Sequence, residues 1–571
     1  MTPPDEPVIT RHFVTVGTRR VHYTRAGTGP AVVLLHASPC SSKVLAEPQR
    51  VFARRFTAIA MDTPGFGLSD PLPMAQPETE DFADALADTL DALGIAQCAV
   101  HGRHTGAQVA VEFAARHPSR CAMAITDGFP VFTEDVKRGR PGQYLKAVEP
   151  VWDGSHLLWL WFRYREQHVF WPWNAQDIAH RADTDMPDLD YLHRGVIEFL
   201  EAGDGYRVGY ATAYRHRGIA AIPDLRVPVC FGWRPGDSLH FMRERMPEGS
   251  WNMAFPREMR EAAGRELEVL LQHPATAVVP PPPACAPVEG RTTTDYVHVA
   301  GRQVLVRRAG TPGATPLVML HALPGSSQLM DALMLSLAGP SREPSREVIA
   351  FDLPGHGESA PLQGNPQDIA SLAQAALATL DALGITGCDL YAHQGGSAVA
   401  VELASRAPDR VRRLVLDAPP CLAPERQAQL VDDWFAGLQS FAPRWDGGHL
   451  VQAWHMRRDM ALWWPWFERR RERARSNAPA IDPVALTADL REAMKQPHSY
   501  GPALRAVLGY PMAARLAALP VAPLLVARED DAGAPCLDEA ARARPDAGVT
   551  RISGGDDLAA WLHGALGSTP R

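Results

Sequence analysis

The sequence predicts an α/β protein made of two similar halves, and three observations support this. Short β-branched runs such as AVVLLH and TAIAMD alternate with amphipathic helical segments such as FADALADTLDALG. Apolar strands separated by such helices favour a mostly parallel sheet with helices on both faces. The chain has 571 residues, too many for one hydrophobic core, because single cores stop growing near ~250–300 residues. Finally, the same motifs occur twice in the same order.

The duplication is visible in paired segments. VVLLHASPCSS recurs as LVMLHALPGSS, MDTPGFGLSD as FDLPGHGESA, and VHGRHTGAQVAVEFA as YAHQGGSAVAVELA. Farther on, WDGSHLLWLWFRYREQHVFWPW from Trp152 recurs as WDGGHLVQAWHMRRDMALWWPW from Trp445. The repeat is far longer than the ~50 residues of a solenoid unit, so a whole domain has been duplicated.

A proline-rich seam separates the two copies. Residues 273–290 include four consecutive prolines at 280–283, and such a stretch cannot continue a helix or a central strand. We expect an extended spacer there. The predicted domains are therefore residues 1–272 and 291–571.

Composition limits the classes of partner. Apolar residues make up 46% of the chain, charged residues 21%, and the net charge is −8. No basic run indicates nucleic acid, and no apolar run reaches the ~18–20 residues of a membrane span. The first residues, MTPPDEPVITRHF, do not have a signal-peptide pattern. The eight cysteines contain no CxxC pair, which favours buried thiols in a cytoplasmic protein. We expect a small-molecule substrate and no cofactor.

Three motifs in each half resemble those of the α/β-hydrolase fold superfamily. HASPCSS and HALPGSS resemble its oxyanion loop, and DTPGFGLSD and DLPGHGES resemble its next strand–loop signature. GRHTGAQVA and AHQGGSAVA stand where the family carries G-x-S-x-G, the turn that exposes the nucleophile. Inserts at 129–224 and 421–520 stand where such enzymes carry a helical cap, after the sixth strand. The layout is similar to epoxide hydrolases, haloalkane dehalogenases and carbon–carbon-bond hydrolases.

The serine that the family uses is missing from both halves. Position 104 is His and position 394 is Gln. The resemblance implies two backbone oxyanion donors in each half: Thr105 with Ala37 or Ser38 in the first, and Gly395 with Ala322 or Leu323 in the second. The histidine that follows the last strand in the family has no counterpart: the first half reads PEGSWNMAFPREMREAAG there, and in the second half His563 lies inside a predicted helix. The acid after the seventh strand corresponds to Asp237 in the first half and to Asp530 or Asp531 in the second.

His104 is the main candidate for chemistry. At a helix start the macrodipole opposes a positive charge and favours neutral imidazole. Such a ring can act as a general base or attack directly, and Asp127 or Asp237 is the candidate to orient it. Gln394 can do neither, so we expect the second half to be a pseudo-domain that supports the first as an intramolecular pseudo-dimer.

Further candidates are less distinctive. His36 and His321 follow the third strand, where the family uses histidine for structural hydrogen bonds. His36, His104 and Asp127 offer the imidazole and carboxylate groups that suit zinc or iron, but no HxH or HExxH spacing supports a metal site there. In the cap, aromatic and basic residues suit an apolar pocket with a group for an anion or carbonyl: the candidates that bind substrate are His36, His156, Arg163, Trp171 and Trp173.

These features support three hypotheses of function. The first is a hydrolase or lyase that acts on a small, partly aromatic or apolar carbonyl compound. The second, cofactor-free carbon–carbon cleavage or decarboxylation, needs only a base and an oxyanion hole. The third is a ligand-binding or regulatory protein in which both pockets have lost their chemistry.

Overall fold

A computed structural model of the chain describes residues 6–313, 315–339, 346–476, 479, 481–553 and 557–567. The chain divides into two compact units. The first contains Met1–Glu149 and Trp159–Ala286, and the second contains Pro150–Leu158 and Pro287–Arg571. Much of the predicted spacer runs along the first unit, where Arg25 donates to the Pro280 carbonyl and Thr15 to the Ala286 carbonyl, both at 2.6 Å.

The first unit contains a mostly parallel sheet. Its described strands are β1 (Thr10–Val16), β2 (Arg19–Ala26), β3 (Ala31–Leu35), β4 (Thr57–Met61), β5 (Cys98–Arg103), β6 (Cys121–Asp127), β7 (Val229–Trp233) and β8 (Asn252–Ala254). They lie in the order β1-β2-β4-β3-β5-β6-β7-β8. β1 and β2 pair antiparallel, as do β2 and β4, and the rest are parallel. β3 is buried at every position, as expected for a central parallel strand.

Helices cover this sheet and form a cap. The described helices are α1 (Ala46–Phe52), α2 (Thr79–Ala92), α3 (Thr105–Arg116), α4 (Glu134–Tyr144), α5 (Ser155–Glu166), α6 (Leu189–Ala202), α7 (Tyr206–Arg215) and α8 (Met259–Leu270). α2 begins at a capping box made by Glu78 and Asp81 and is followed by Gly94 at φ +68°. Helices α4 to α7 lie between β6 and β7 in the chain, which confirms a cap inserted after the sixth strand.

The second unit repeats this plan. Its described strands are β9 (Thr293–Val299), β10 (Arg302–Ala309), β11 (Leu317–Leu320), β12 (Val348–Phe351), β13 (Cys388–His393), β14 (Val411–Asp417), β15 (Leu524–Arg528) and β16 (Gly548–Ile552). Their order, β16-β15-β14-β13-β11-β12-β10-β9, matches the first sheet strand for strand. The prediction of two α/β domains with mostly parallel sheets is therefore confirmed.

The second set of helices follows the same order, with α12 to α16 as the cap. The described helices are α9 (Asp331–Ala338), α10 (Ile369–Ala382), α11 (Gly396–Arg406), α12 (Pro424–Phe435), α13 (Gly448–Met460), α14 (Pro483–Met494), α15 (Pro497–Gly509), α16 (Met512–Ala517), α17 (Leu537–Ala543) and α18 (Leu558–Gly567). His563 lies within α18. Among the helices described, none combines the length and the apolar character needed to cross a membrane.

A buried aspartate organises the loop after the fourth strand of each unit. Asp62 accepts hydrogen bonds from the amides of Ser42 and Leu68, at 2.8 and 2.9 Å. Asp352 accepts from the amides of Ser327 and Glu358, at 2.7 and 2.8 Å. These bonds hold the oxyanion loop against the following loop and so position one wall of each site.

A serine–glutamate contact joins the oxyanion loop of each unit to its cap. Ser41 donates to Glu198 at 2.6 Å, and Ser326 donates to Glu492 at 2.6 Å. Burial raises the pKa of Glu198 to about 7. For Glu492, the charges of Lys495 and Arg491 outweigh burial and lower the pKa to about 2. The same contact therefore has opposite pH dependence in the two units.

We expect Glu198→Gln to stabilise the first unit at pH 8 by about 3 kcal/mol and to have little effect at pH 5. The pKa of Glu198 in the folded protein lies above its ordinary 4.5. Protonated Glu198 therefore contributes to the stability of the first unit in full below pH 4.5, and this contribution is lost as the pH rises through 7. Glu492→Gln is the matched control and should destabilise the second unit at pH 8. Thermal unfolding across this pH range measures both effects, and equal changes for the two variants would contradict the prediction.

Candidate active site

The strained turn that characterises the family is present in both units. His104 joins β5 to α3 with φ +48° and ψ −110°, and Gln394 stands between β13 and α11 with φ +45°. Residues other than glycine rarely adopt a positive φ, and such strain persists where the surrounding structure enforces it. Here the close approach of helix and strand enforces it, because a Cβ on Gly106 would overlap the Leu35 backbone. The elbow has thus been kept without its serine.

In the first unit, the elbow residue contacts the acid directly. His104 Nε2 lies 3.0 and 2.9 Å from the two carboxylate oxygens of Asp237, in the loop after β7. Asp237 is buried, whereas the His104 side chain is 24% exposed. Burial alone would raise the pKa of Asp237, but the charge and hydrogen bond of His104 and the charges of Arg103 and Arg234 hold it well below its usual range.

This contact determines which nitrogen of His104 is available for chemistry. An ionised carboxylate only accepts hydrogen bonds, so in the neutral ring the proton resides on Nε2. Nδ1 then carries the lone pair, and it has no hydrogen-bond partner among the described residues. In the neutral ring, Nδ1 is therefore the nitrogen with an uncommitted lone pair, while Nε2 is held by Asp237.

Asp127 is engaged elsewhere. Arg234 donates to it through Nε and Nη2, both at 2.9 Å, in a buried bidentate pair. Arg103 Nη2 lies 3.6 Å from Asp237 Oδ2, and Arg103 Nε lies 3.6 Å from Asp127 Oδ2. Of the two acids proposed to orient His104, the structure places Asp237 in contact with it. The two arginines were not singled out from the sequence, although Arg103 directly precedes the elbow.

The oxyanion loop of the first unit is occupied by a side chain of the elbow helix. The Ser38 amide donates to Thr105 Oγ1 at 2.6 Å, and the Thr105 hydroxyl donates to Ser38 Oγ at 3.1 Å. The Ala37 carbonyl accepts from the Cys40 amide at 2.9 Å. The Ser38 amide, a predicted oxyanion donor, is thus committed internally, and the free proton of this chain of hydrogen bonds is that of the Ser38 hydroxyl.

His36 lies within the loop framework. Its Nε2 accepts from the Thr63 amide at 3.0 Å, and its Nδ1 donates to the Ala37 carbonyl at 3.0 Å. The ring is 1% exposed, and burial lowers its pKa. Among the described residues no group of three or more His, Cys, Asp or Glu is arranged to hold a metal ion.

Arg163 lies in an aromatic cage in the cap of the first unit. Its guanidinium carbon lies 4.6 Å from the ring centre of Trp173, 5.1 Å from Tyr144 and 5.5 Å from Phe199. The residue is 2% exposed. Nη1 donates to Gln167 at 3.0 Å, whereas Nε and Nη2 are buried without a partner in the described structure. Two donors of a buried cation are therefore unused.

The other cap candidates each make contacts of their own. Trp171 packs beside Phe241, with ring centres 5.5 Å apart, and Trp173 donates to the Tyr144 carbonyl at 3.2 Å. His156 belongs to the second unit, where it is 3.0 Å from the Thr487 hydroxyl and packs on Trp454.

The second unit arranges its elbow differently. Gln394 Nε2 donates to both carboxylate oxygens of Asp531, at 3.0 and 3.1 Å, and His393 Nε2 lies 2.9 Å from Asp531 Oδ2. Burial would lower the pKa of His393, but the hydrogen bond and charge of Asp531 raise it to about 9. Asp531 therefore corresponds to Asp237, and the amide of Gln394 takes the place of the imidazole.

The two caps also differ at the position of Arg163. When Trp161 is aligned with Trp454, Arg163 falls opposite Met456 and Tyr164 falls opposite Arg457. Contacts of the structure support this alignment: Tyr164 lies 4.0 Å from Cys40, and Arg457 donates to the Pro324 carbonyl at 3.2 Å in the equivalent loop. Arg163 and Arg457, which both follow the shared tryptophan by two or three residues, are thus not counterparts.

The family assignment follows from this fold and from a family comparison. The model of the alpha/beta hydrolase fold matches residues 30–149 and 315–457, one segment in each half. Together with two sheets of identical strand order, these matches show that the chain belongs to the α/β-hydrolase fold family, duplicated in tandem. The resemblance inferred from the motifs is confirmed.

The individual relatives match parts of the chain. The dihydrolipoyllysine-residue acetyltransferase component of the acetoin cleaving system of Pseudomonas putida is 37% identical over 140 residues, 24% of this chain and 36% of that protein. The 2-hydroxy-6-oxononadienedioate/2-hydroxy-6-oxononatrienedioate hydrolase of Burkholderia vietnamiensis is 36% identical over 132 residues, 21% of this chain and 46% of that protein. The chain thus spans less than half the length of these two curated relatives.

Among solved structures, the crystal structure of epoxide hydrolase A from Mycobacterium thermoresistibile is 16% identical to this chain, and the match covers 47% of this chain and 98% of that one, with a TM-score of 0.37.

We expect Asp127→Asn to destabilise the first unit by about 3–5 kcal/mol at pH 8, because Arg234 would lose its buried partner. Asp417, the matched residue of the second unit, differs because burial raises its pKa to about 6. The stability due to protonated Asp417 is lost as the pH rises through 6, so Asp417→Asn should be neutral or stabilising at pH 8. Denaturant unfolding measures both variants, and a larger loss for Asp417→Asn would contradict this prediction.

Proposed function

We propose that the first unit is a hydrolase or lyase in which His104, rather than a serine, carries out the chemistry. The observation that carries the proposal is the contact of 2.9–3.0 Å between His104 Nε2 and the Asp237 carboxylate at the nucleophile elbow. In the family's usual triad an acid orients a histidine that activates a serine. Here the acid reaches the elbow residue itself, so the base occupies the place of the nucleophile.

His104 Nδ1 would remove a proton from water or from the substrate. The positive charge that develops on the ring is stabilised by Asp237, which Arg103 and Arg234 keep ionised. This chemistry is compatible with hydrolysis by activated water and with cleavage of a carbon–carbon bond next to a carbonyl. It requires no acyl–serine intermediate.

The Ser38 hydroxyl is the proposed partner of the substrate oxygen. Because the Ser38 amide donates to Thr105 and the Thr105 hydroxyl donates to Ser38 Oγ, the polarised Ser38 hydroxyl can donate its own proton onward. Chains of hydrogen bonds strengthen the terminal donor. With the Thr105 amide, this hydroxyl would replace the usual pair of backbone donors.

Arg163 is the proposed recognition group for a negative charge on the substrate. A buried guanidinium with two unpartnered donors is costly unless an anion pairs with it, and the aromatic cage would receive an apolar or aromatic body. Burial and the charges of Arg103 and Arg163 lower the pKa of His168 to about 4, so His168 lies within electrostatic reach of both arginines. The substrate class is thus a small, partly apolar carbonyl compound with a carboxylate. The Burkholderia relative, named as a hydrolase of a dienedioate, supports this choice.

The second unit has the features of a pseudo-domain. Gln394 offers neither a base nor a nucleophile, and its amide is held on Asp531. The packing of the two halves as a pseudo-dimer stays a prediction. The alternative hypothesis, in which the first pocket also lacks activity, predicts that the intact chain turns over no oxo acid or ester.

We expect His104→Ala to lower kcat by at least about 10²-fold, the usual cost of losing a general base. Asp237→Asn should lower it by about 10²–10⁴-fold, because an amide no longer enforces the required tautomer. The assay is turnover of a panel of small unsaturated oxo acids and their esters by the full chain. Gln394→Ala is the control and should leave turnover unchanged. Full activity in His104→Ala, or labelling of the wild type by a fluorophosphonate, would overturn the proposal.

We expect Arg163→Met, which installs the residue of the second unit, to raise KM for a carboxylate substrate by about 10–100-fold, the scale of a charge-assisted hydrogen bond. The methyl ester of the same substrate should be much less affected, since it carries no charge for Arg163 to bind. Circular dichroism checks that the variant is folded. An equal loss for acid and ester would mean that Arg163 supports the cap and does not recognise the anion.

A further inference from the structure

We infer that the second unit retains a binding site for a neutral, largely apolar carbonyl compound that it does not convert. The inference concerns residues 321–536, and it does not depend on the chemistry proposed for His104. Four observations support it: a cavity, a pair of open backbone donors, an unpartnered buried indole and a wall without a spare positive charge.

The cavity lies over the second elbow and has a volume of about 410 Å³. This is within the ~300–1,000 Å³ of small-molecule sites. Leu323, Gln394 and Gly395 contribute to its wall at the elbow, and the rest is mainly apolar. The apolar lining includes Leu329, Met330, Trp434, Met456, Met460, Trp464, Leu504 and Leu508.

Both predicted oxyanion donors of this unit are open, whereas in the first unit the Ser38 amide is occupied by Thr105. The amides of Leu323 and Gly395 make no hydrogen bond within the described structure. At the position of Thr105 there is Gly395, which has no side chain to occupy the Leu323 amide. A Cβ added to Gly395 would lie 2.9 Å from Leu323 Cβ and 3.0 Å from Leu323 N, so glycine keeps this space free. A carbonyl oxygen is the acceptor that such paired amides suit.

An independent observation in the cavity wall also indicates a ligand with an acceptor. Trp434 lines the cavity, is 1% exposed, and its Nε1–H has no partner among the described residues. Buried indole donors are normally hydrogen-bonded. A ligand with a carbonyl at the elbow and a second weak acceptor near Trp434 would satisfy these donors.

The charges of the wall favour a neutral ligand. Arg457 pairs with Asp489 and also donates to Tyr500 at 3.2 Å, and His393 pairs with Asp531 at 2.9 Å. Both cationic side chains of the described wall are therefore already paired, and Asp530 and Asp531 would repel a carboxylate. Met456 stands where the first unit has Arg163, so the apolar cap lacks the proposed anion-binding group.

The test uses the full chain and three probes with the same ring system: 2-acetonaphthone, 2-ethylnaphthalene and 2-naphthoate. In ligand-observed NMR titrations we expect the ketone to bind at least tenfold more tightly than either of the others. Gly395→Ala should weaken ketone binding at least tenfold, because its Cβ obstructs the two amides. His104→Ala should leave ketone binding unchanged, so failure of the proposed function of the first unit is distinguishable from failure of this site.

Two further variants keep the inference falsifiable if Gly395→Ala does not fold. Trp434→Phe should weaken ketone binding about threefold, and Met456→Arg should improve binding of 2-naphthoate at least tenfold. Equal affinity of the wild type for ketone and hydrocarbon, or unchanged ketone binding in folded Gly395→Ala, would overturn the site. Hydrolysis of 2-naphthyl acetate that disappears in Gln394→Ala would overturn the claim that this site does no chemistry.

Discussion

The contact between the elbow residue and the acid after the seventh strand is the interaction on which both sites depend. In each unit a carboxylate, that of Asp237 or Asp531, bonds directly to the side chain at the elbow. The parallel sheet brings the ends of these strands to one edge, and the strained turn directs the side chain toward the acid. What differs is the donor, which is an imidazole in one unit and an amide in the other.

This one difference gives the two units different chemical capacity. Imidazole held by a carboxylate retains a basic nitrogen, whereas a primary amide has none. The surrounding residues differ in the same sense: Thr105 occupies the oxyanion loop and Arg163 supplies a buried cation in the first unit, where the second has Gly395 and Met456. The two units share one scaffold, while the residues around their elbows differ in charge and size.

Much of the fold was predictable from the sequence, since repeated motifs, apolar strand runs and helical periodicity all depend on local patterns that survive in one dimension. The cap positions were predictable for the same reason. The match of Arg163 with Met456, and not with Arg457, also follows from the sequence, since the strings from Trp152 and Trp445 align without a gap. Loop contacts agree with this register, through Tyr164 with Cys40 and Arg457 with Pro324.

The sequence by itself determined the duplicated α/β-hydrolase fold, the loss of both elbow serines and the absence of the usual downstream histidine from the first half. Only the tertiary structure decided which acid reaches His104, because Asp127 and Asp237 both follow strands that end at the same edge. It also revealed that the Ser38 amide is hydrogen-bonded to the Thr105 hydroxyl, whereas Gly395 has no side chain that could bond to the Leu323 amide. These outcomes depend on small differences in where side chains lie in space, which residue spacing along a chain does not encode.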